Sequence, residues 1–136
     1  MFSAMDVSTS GLTAQRARLN TISGNLANIS TIVNERGEQV PYQPRYVTLQ
    51  VDEGVSTRGG GKGVRVASVE HSTAEPIVRY EPGHPLADER GMVAYPNIDM
   101  TNEFVDALEA TRAYEANIGV MEISKDLGRQ TLQIIA

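Results

Sequence analysis

The sequence predicts a mainly α-helical fold with a small β-rich insertion. Three observations support this class: a seven-residue repeat of apolar residues in the first third, a weaker repeat of the same kind in the last third, and a middle that holds all six prolines and most of the glycines. We expect two long terminal helices, at residues 1–33 and 98–136, paired as an antiparallel, coiled-coil-like hairpin. Residues 34–97 form the β-rich and loop insertion, with a β-hairpin between the helices.

The N-terminal helix is predicted by a narrow apolar seam with coiled-coil spacing. The apolar residues occupy two heptad positions, three or four residues apart, and therefore line one face of a helix. We expect this helix to run from about Ser3 to Ile32. The seam consists of Met5, Leu12, Leu19, Leu26 and Val33 at one position and Met1, Ser8, Gln15, Ile22 and Ile29 at the other.

The C-terminal helix is predicted by the same spacing with more interruptions. Asp99 or Thr101 is expected to cap its start, because a side-chain oxygen there accepts a hydrogen bond from a free backbone N–H group of the first turn. The seam consists of Phe104, Thr111, Ile118, Lys125 and Leu132, alternating with Ala107, Tyr114, Met121, Gly128 and Ile135. Because the seam continues to the last residues with no terminating glycine or proline, we expect this apolar edge to be covered by something else.

The middle of the chain has the alternation of short strands. Tyr46–Val51 and Gly63–Val69 alternate apolar and polar residues, and Gly59-Gly60-Gly61 between them predicts a hairpin. Shorter strands and a turn are predicted at 76–80, 92–95 and 82–85. This region is too small and too polar to cover two long amphipathic helices, so we expect order at the helix ends to increase on assembly with other chains.

Composition and charge exclude several classes of protein. The net charge of −5 and a pI of about 5.0 argue against a protein that grips phosphate backbones. The absence of cysteine excludes disulfides and thiolate metal sites. No apolar run approaches the roughly 20 residues that span a bilayer, and no secretory signal peptide is predicted. If the protein leaves the cytoplasm, it must use another route.

The two ends of the chain differ in the sign of their charge. Residues 1–33 carry two arginines against one aspartate, whereas residues 98–136 carry three basic against seven acidic residues. This contrast mildly favours association of one end with the other over association of like ends.

The sequence contains no recognisable catalytic, cofactor or metal site. His71 and His84 lie in the polar middle without a partner at metal-ligand spacing, so we interpret them as surface loop residues. The Gly59–Gly63 segment lacks the first glycine and the hydroxyl residue of a phosphate-binding loop, which favours a hairpin tip. We therefore expect no cofactor and no enzymatic activity.

Several longer segments resemble a known family. SGLTAQRARLN at residues 10–20, followed by ISGNLAN at 22–28, resembles the N-terminal signature of flagellar basal-body rod and hook proteins. PGHPLAD at 82–88 and GMVAYPN at 91–97 resemble the segment before the last helix in the proximal rod members, and AYEANI at 113–118 resembles their C-terminal helix. The chain is thus most similar to the proximal rod proteins of the flagellar basal-body rod family.

This resemblance implies a structural subunit of the bacterial flagellar rod. It implies that the paired terminal helices form an inner tube domain and that the β-rich segment lies outside it. It also implies export by the flagellar type III system to a periplasmic rod, self-association there, and contacts with other rod subunits, the MS-ring junction protein and the export apparatus. No nucleic acid, small-molecule substrate or membrane-spanning segment is implied. A cytoplasmic helical adaptor or secretion chaperone remains an alternative, because it would share the amphipathic ends.

We expect the subunit contacts to lie along the helical seams. Asn25 and Asn28 are polar residues beside the N-terminal seam, and we hypothesise that they fix the register between helices. The expected interface residues are Met5, Leu12, Leu19, Ile22, Asn25, Leu26, Asn28, Ile29, Phe104, Tyr114, Ile118, Met121, Leu132 and Ile135.

Overall fold

The computed structural model describes residues 2–136, which form two long helices and two small sheets. Helix α1 spans Phe2–Ala27 and helix α2 spans Met100–Ile135. Between them lie strands β1 (Arg45–Ser56), β2 (Lys62–His71), β3 (Ile77–Tyr80) and β4 (Met92–Tyr95). The predicted mainly helical fold with a β insertion is therefore confirmed, while the seam residue Met1 lies outside the described residues.

The two helices pack side by side in opposite directions. Asn25, near the end of α1, lies 3.4 Å from the carboxylate of Glu103 at the start of α2. Arg18 forms an ion pair of 3.9 Å with Glu109, and Gly11 lies against Asn117. These pairs confirm the predicted antiparallel hairpin. Because α2 has 36 residues and α1 only 26, its last part projects past its partner.

Helix α1 ends at Ala27, about one turn earlier than the predicted Ile32. The Asn28 side chain donates a hydrogen bond of 2.9 Å to the carbonyl oxygen of Gly24 and accepts one of 3.0 Å from the Thr31 hydroxyl. The Thr31 backbone N–H group bonds to the carbonyl of Asn28, closing a turn. Asparagine side chains compete with the helical backbone for hydrogen bonds in this way, so the helix stops here.

Helix α2 begins as the sequence predicts. The Asp99 carboxylate accepts hydrogen bonds from the backbone N–H groups of Thr101 at 2.9 Å and Asn102 at 3.2 Å. It thereby satisfies two of the free donors of the first turn, and Asp99 rather than Thr101 is the cap.

Strands β1 and β2 form the predicted antiparallel hairpin, which lies against α1. The Ser10 hydroxyl of α1 accepts a hydrogen bond of 3.0 Å from the backbone N–H group of Val64. Gly63 is buried at this contact, and a Cβ atom there would lie 2.8 Å from Cβ of Val55 and 3.0 Å from Oγ of Ser10. The hairpin therefore approaches α1 closely because residue 63 has no side chain.

Replacing Gly63 with alanine is expected to destabilise the fold by about 1–3 kcal/mol, since the added carbon forces the hairpin away from α1. Gly83→Ala is the matched control, because no atom lies within 4 Å of a Cβ atom at that position. Urea unfolding of both variants, followed by circular dichroism, measures the difference. Equal stabilities would contradict the close contact.

Strands β3 and β4 form a second antiparallel pair, at the predicted positions. The connection between them contains the predicted turn, in which the backbone N–H group of His84 bonds to the carbonyl oxygen of Glu81 at 3.0 Å. Gly91, before β4, has a φ angle of 75°, a conformation that glycine adopts without steric penalty. The side chain of Val93 in β4 is fully buried.

The buried apolar core is small and divided. Its members in the helices are Ala14, Ile22 and Ala110, and its members in the rest of the chain are Ile32, Val93 and Ile98. Many large apolar side chains remain exposed, most of them on α2. The isolated fold therefore leaves much apolar surface in water, which is unusual for a protein that acts alone.

Candidate subunit interface

Helix α1 occupies the centre of the molecule, and α2 lies at its side. Within the described residues, α1 contacts α2, β1 and β2, whereas the only element that α2 contacts is α1. One face of α2 is therefore covered, and the rest of its circumference faces solvent.

The two helices approach closely at small residues. A Cβ atom at Gly11 would lie 2.9 Å from the side-chain amide atoms of Asn117, so glycine is needed for this spacing. Ala110 has no exposed surface, and Ser8 is only 4% exposed. Asn117 donates its amide hydrogen to the carbonyl oxygen of Ala113 in its own helix at 2.8 Å, so no buried polar group is left without a partner at this contact.

The covered face of α2 differs from the predicted seam at one of its two heptad positions. Phe104 and Ile118 were predicted in the seam, but they are 57% and 37% exposed. The covered residues stand one position earlier, at Glu103, Ala110 and Asn117. The second predicted position is covered as expected at Ala107, Tyr114, Met121 and Gly128. At this position Asn117 takes the place of Ile118 in the contact, and the absence of a side chain at Gly11 lets Asn117 approach α1 closely.

Asn25 connects three parts of the chain and is only 3% exposed. Its Oδ1 atom accepts hydrogen bonds from the Arg45 backbone N–H group at 2.9 Å and the Tyr42 hydroxyl at 3.2 Å. Its Nδ2 group donates to the Arg45 carbonyl oxygen at 2.8 Å and to the Glu103 carboxylate at 3.4 Å. Asn25 therefore joins α1 to the start of β1 and to the start of α2.

Both asparagines have hydrogen-bond partners within their own chain. The polar groups of Asn25 are used at the junction of α1, β1 and α2, and the Asn28 side chain closes the turn after α1. Their expected part in a contact between subunits stays a prediction.

Glu103 carries an unfavourable charge at this junction. Its pKa is raised, first because partial burial disfavours the charged carboxylate and also because of the nearby Asp106 carboxylate, while the Asn25 amide acts in the opposite direction. Because the pKa of this acid is raised on folding, the folded state is most stable relative to the unfolded state when Glu103 is protonated. This stability is fully present below about pH 4, where the unfolded acid is also protonated. It is lost as the pH rises through the pKa of the folded state.

Glu103→Gln is therefore expected to raise the melting temperature at pH 7 relative to the original chain. The gain should shrink as the pH falls towards 4, because the original carboxylate then becomes neutral as well. Thermal unfolding at several pH values measures the difference, with Glu122→Gln, an exposed position on the same helix, as the control. A gain that is independent of pH would show that burial of the Glu103 charge is not its cause.

The exposure of the predicted interface residues differs between the two helices. Those on and just after α1 are buried or half-buried: Met5, Leu12, Leu19, Ile22, Asn25, Leu26, Asn28 and Ile29. On α2, Tyr114 and Met121 are half-buried beside α1. Phe104, Ile118, Leu132 and Ile135 are exposed at 57%, 37%, 68% and 76%. The residues free to meet a neighbouring subunit therefore lie mainly on α2.

A second apolar stripe on α2 was not predicted. Val120, Ile123, Leu127 and Ile134 are exposed at 47%, 62%, 55% and 85%. Their spacing of three, four and seven residues aligns them on one side of the helix, roughly 130° around its axis from the α1 contact at 100° per residue. The sequence carries this stripe as a second heptad frame, offset from the frame of the predicted seam.

Within residues 2–136 there is no group of three or more histidine, aspartate or glutamate side chains that could hold a metal ion. In the same residues, neither helix combines the length and the apolar character needed to cross a membrane. Most of the exposed large apolar side chains in this part of the chain lie on α2.

Comparison with known proteins gives the same signature at both ends of the chain. Residues 5–32 match the flagella basal body rod protein family, and residues 89–134 match the C-terminal family of flagellar basal body rod FlgEFG proteins. The flagellar basal-body rod protein FlgC of Salmonella typhimurium is 40% identical over 134 residues, which cover 98% of this chain and 97% of the relative. The chain belongs to the FlgC family of flagellar basal-body rod proteins.

Other FlgC proteins match over the same extent. The Bacillus subtilis protein is 36% identical over 145 residues, covering 98% of this chain and 97% of the relative. The Aquifex aeolicus protein is 32% identical over 133 residues, covering 98% of this chain and 96% of the relative. The similarity includes the β-rich insertion as well as the helices.

Proposed function

We propose that this chain is a structural subunit of the flagellar basal-body rod and polymerises through its terminal helices into the axial drive shaft. Membership of the FlgC family supports the rod assignment. The observation that supports polymerisation through the helices is that α2 is covered by α1 on one side and exposes apolar side chains on two others.

The arrangement of α2 suits a subunit of a tube. The unpredicted stripe and the Phe104–Ile118 side are different surfaces, so contacts between them are heterologous and continue from subunit to subunit. Burial of apolar surface at such contacts contributes about 25 cal/mol per Å². The side of α2 opposite α1 carries Arg112, Glu115 and Asp126 beside the exposed Leu108, and we assign it to the wall of a central export channel.

The division of the chain follows from this orientation. Residues 1–33 and 98–136 would form the inner tube, and residues 34–97 would lie outside it. The contact of β1 and β2 with α1 supports this order, because α1 packs against both the hairpin and α2.

The location and partners follow from the same proposal. The subunit would be exported by the flagellar type III system and would assemble in the proximal rod in the periplasmic space. Its neighbours would be copies of itself, other rod subunits, the MS-ring junction protein and the export apparatus. Catalysis has no part in this role, and no observation favours the alternative of a cytoplasmic adaptor or secretion chaperone.

Electron microscopy of basal bodies from a strain that lacks the gene tests the proposal. We expect MS rings without a rod above them, and restoration of the rod when the gene is returned on a plasmid. Intact hook-basal bodies in the deletion strain would overturn the rod assignment.

A further inference from the structure

Two side chains hold the backbone of Leu86, in the connection between β3 and β4. Its N–H group donates a hydrogen bond of 3.0 Å to Nδ1 of the His84 imidazole. Its carbonyl oxygen accepts a hydrogen bond from the side-chain amide of Gln39. His84 and Leu86 are both half-buried. Both backbone polar groups of Leu86 therefore depend on side chains and not on a sheet or a helix.

The bond from Gln39 joins two separate segments of the insertion. Within the described part of the chain, it is the only hydrogen bond between residues 34–44 and residues 81–91. Gln39 follows a closed turn, in which Oδ1 of Asn34 accepts hydrogen bonds from the backbone N–H groups of Arg36 at 3.0 Å and Glu38 at 2.9 Å. Because this turn is fixed by its own bonds, the position of Leu86 decides whether the two segments stay joined.

The His84 imidazole can hold Leu86 only in its neutral form. The neutral ring accepts a hydrogen bond at one nitrogen, whereas a protonated ring carries hydrogen on both nitrogens and has no acceptor. Protonation of His84 therefore removes the bond and leaves the N–H group of Leu86 without its partner. Histidine is the side chain that gains a proton in weakly acidic solution.

The charged groups around His84 do not hold a protonated ring in this position. Three acids of the two segments have hydrogen-bond partners of their own: Glu38 with the side chain of Asn34, Glu81 with Tyr95, and Asp88 with the backbone N–H groups of Arg90 and Met92. The other charged side chains of the two segments are exposed to solvent: Glu35, Arg36, Glu89 and Arg90. On the adjoining strand β3, Arg79 lies over the Tyr95 ring at 5.0 Å. Within residues 2–136 no ion pair includes a histidine, so no ion pair replaces the bond that protonation removes.

We infer that the His84–Leu86–Gln39 contact is a pH-dependent latch, which holds residues 82–91 against residues 34–40 in neutral solution and releases them in weakly acidic solution. The bond needs the neutral ring, so it is present at higher pH and is lost as the pH falls. This inference goes beyond the proposed rod function, because assembly through the helices does not require the latch. It makes the connection between β3 and β4 the acid-sensitive part of the insertion.

Hydrogen exchange of the purified chain, measured by NMR at pH values of about 7.5 and about 5.5, tests the latch. The lower value stays above the pI of about 5.0, so the chain keeps a net negative charge. A free histidine is about nine-tenths protonated at pH 5.5, so we expect the protection factor of the Leu86 amide to fall about tenfold. The Gln39 side-chain amide signal should change over the same pH range. The Ser72 amide, which donates to the Pro44 carbonyl oxygen at 2.7 Å, is the internal control and should keep its protection factor.

His84→Asn is the matched variant, because an asparagine side chain also accepts a hydrogen bond from the N–H group two residues further on but does not titrate. We expect this variant to protect the Leu86 amide equally at both pH values. The same tenfold fall in this variant would overturn the latch, since another group would then cause it. Equal protection factors at both pH values in the original chain, or a proton on Nδ1 of neutral His84 in the ring nitrogen spectrum, would also overturn it. None of these outcomes bears on the rod function, which the deletion strain tests separately.

Discussion

Replacing Asn25 with alanine is expected to lower the free energy of unfolding of the isolated chain by about 3 kcal/mol. The substitution removes the amide that pairs with both the N–H group and the carbonyl oxygen of Arg45. A polar group left without a partner costs about 1–3 kcal/mol when it is buried, and the substitution leaves two part-buried groups of Arg45 unpaired. Because small domains are stable by only about 5–15 kcal/mol, we expect the start of β1 to detach from the helices. Urea unfolding followed by circular dichroism measures the loss.

Asn20→Ala is the matched control for this prediction. Asn20 lies on the same helix but is exposed, so both substitutions bring the same small gain in helix propensity, at most about 0.7 kcal/mol. The difference between the two variants therefore reports the hydrogen bonds of Asn25. Similar stabilities would show that the junction with Arg45 contributes little to the fold.

Introducing two lysines into the exposed stripe of α2 is expected to abolish motility while leaving the isolated subunit folded. Ile123 and Leu127 are 62% and 55% exposed, and exposed substitutions of this kind usually change stability by less than about 0.5 kcal/mol. In the rod, the same positions would be buried between helices, where an unpaired charge is strongly unfavourable. Swimming assays and electron microscopy of basal bodies, beside circular dichroism of the purified chain, measure both effects.

The control for the double lysine variant keeps both positions apolar. Ile123→Leu together with Leu127→Met preserves the volume and character of the stripe, and such exchanges are usually tolerated. We expect this variant to swim normally. If the lysine variant also swims, the stripe is not a contact between subunits.

The features that the sequence predicts correctly are those that depend on residues close to each other in the chain. Asp99 was recognised as a cap because the helix it starts lies immediately beside it. The β1–β2 hairpin was predicted because Gly59-Gly60-Gly61 separates two alternating segments. The premature end of α1 is also local, but the Asn28 side chain competes with the backbone in a way that the apolar repeat does not reveal.

Contacts between distant segments were the part that sequence could not supply. The frame of α2 depends on the fit of Asn117 against Gly11, and α2 has apolar residues on three sides, so periodicity alone does not select one. The role of Asn25 depends on Arg45, which is 20 residues away in the chain. Its hydrogen bonds to β1 and to the start of α2 cannot be read from a polar residue beside an apolar seam.

Chemical labelling of a single cysteine at Ile123 tests most directly whether the exposed side of α2 is buried between subunits. The Ile123→Cys variant would be treated with a maleimide as a purified chain and, in parallel, within isolated basal bodies. If the exposed side of α2 is buried between subunits, we expect rapid labelling of the free chain and at least tenfold slower labelling in the rod. Equal labelling rates in the two states would contradict it.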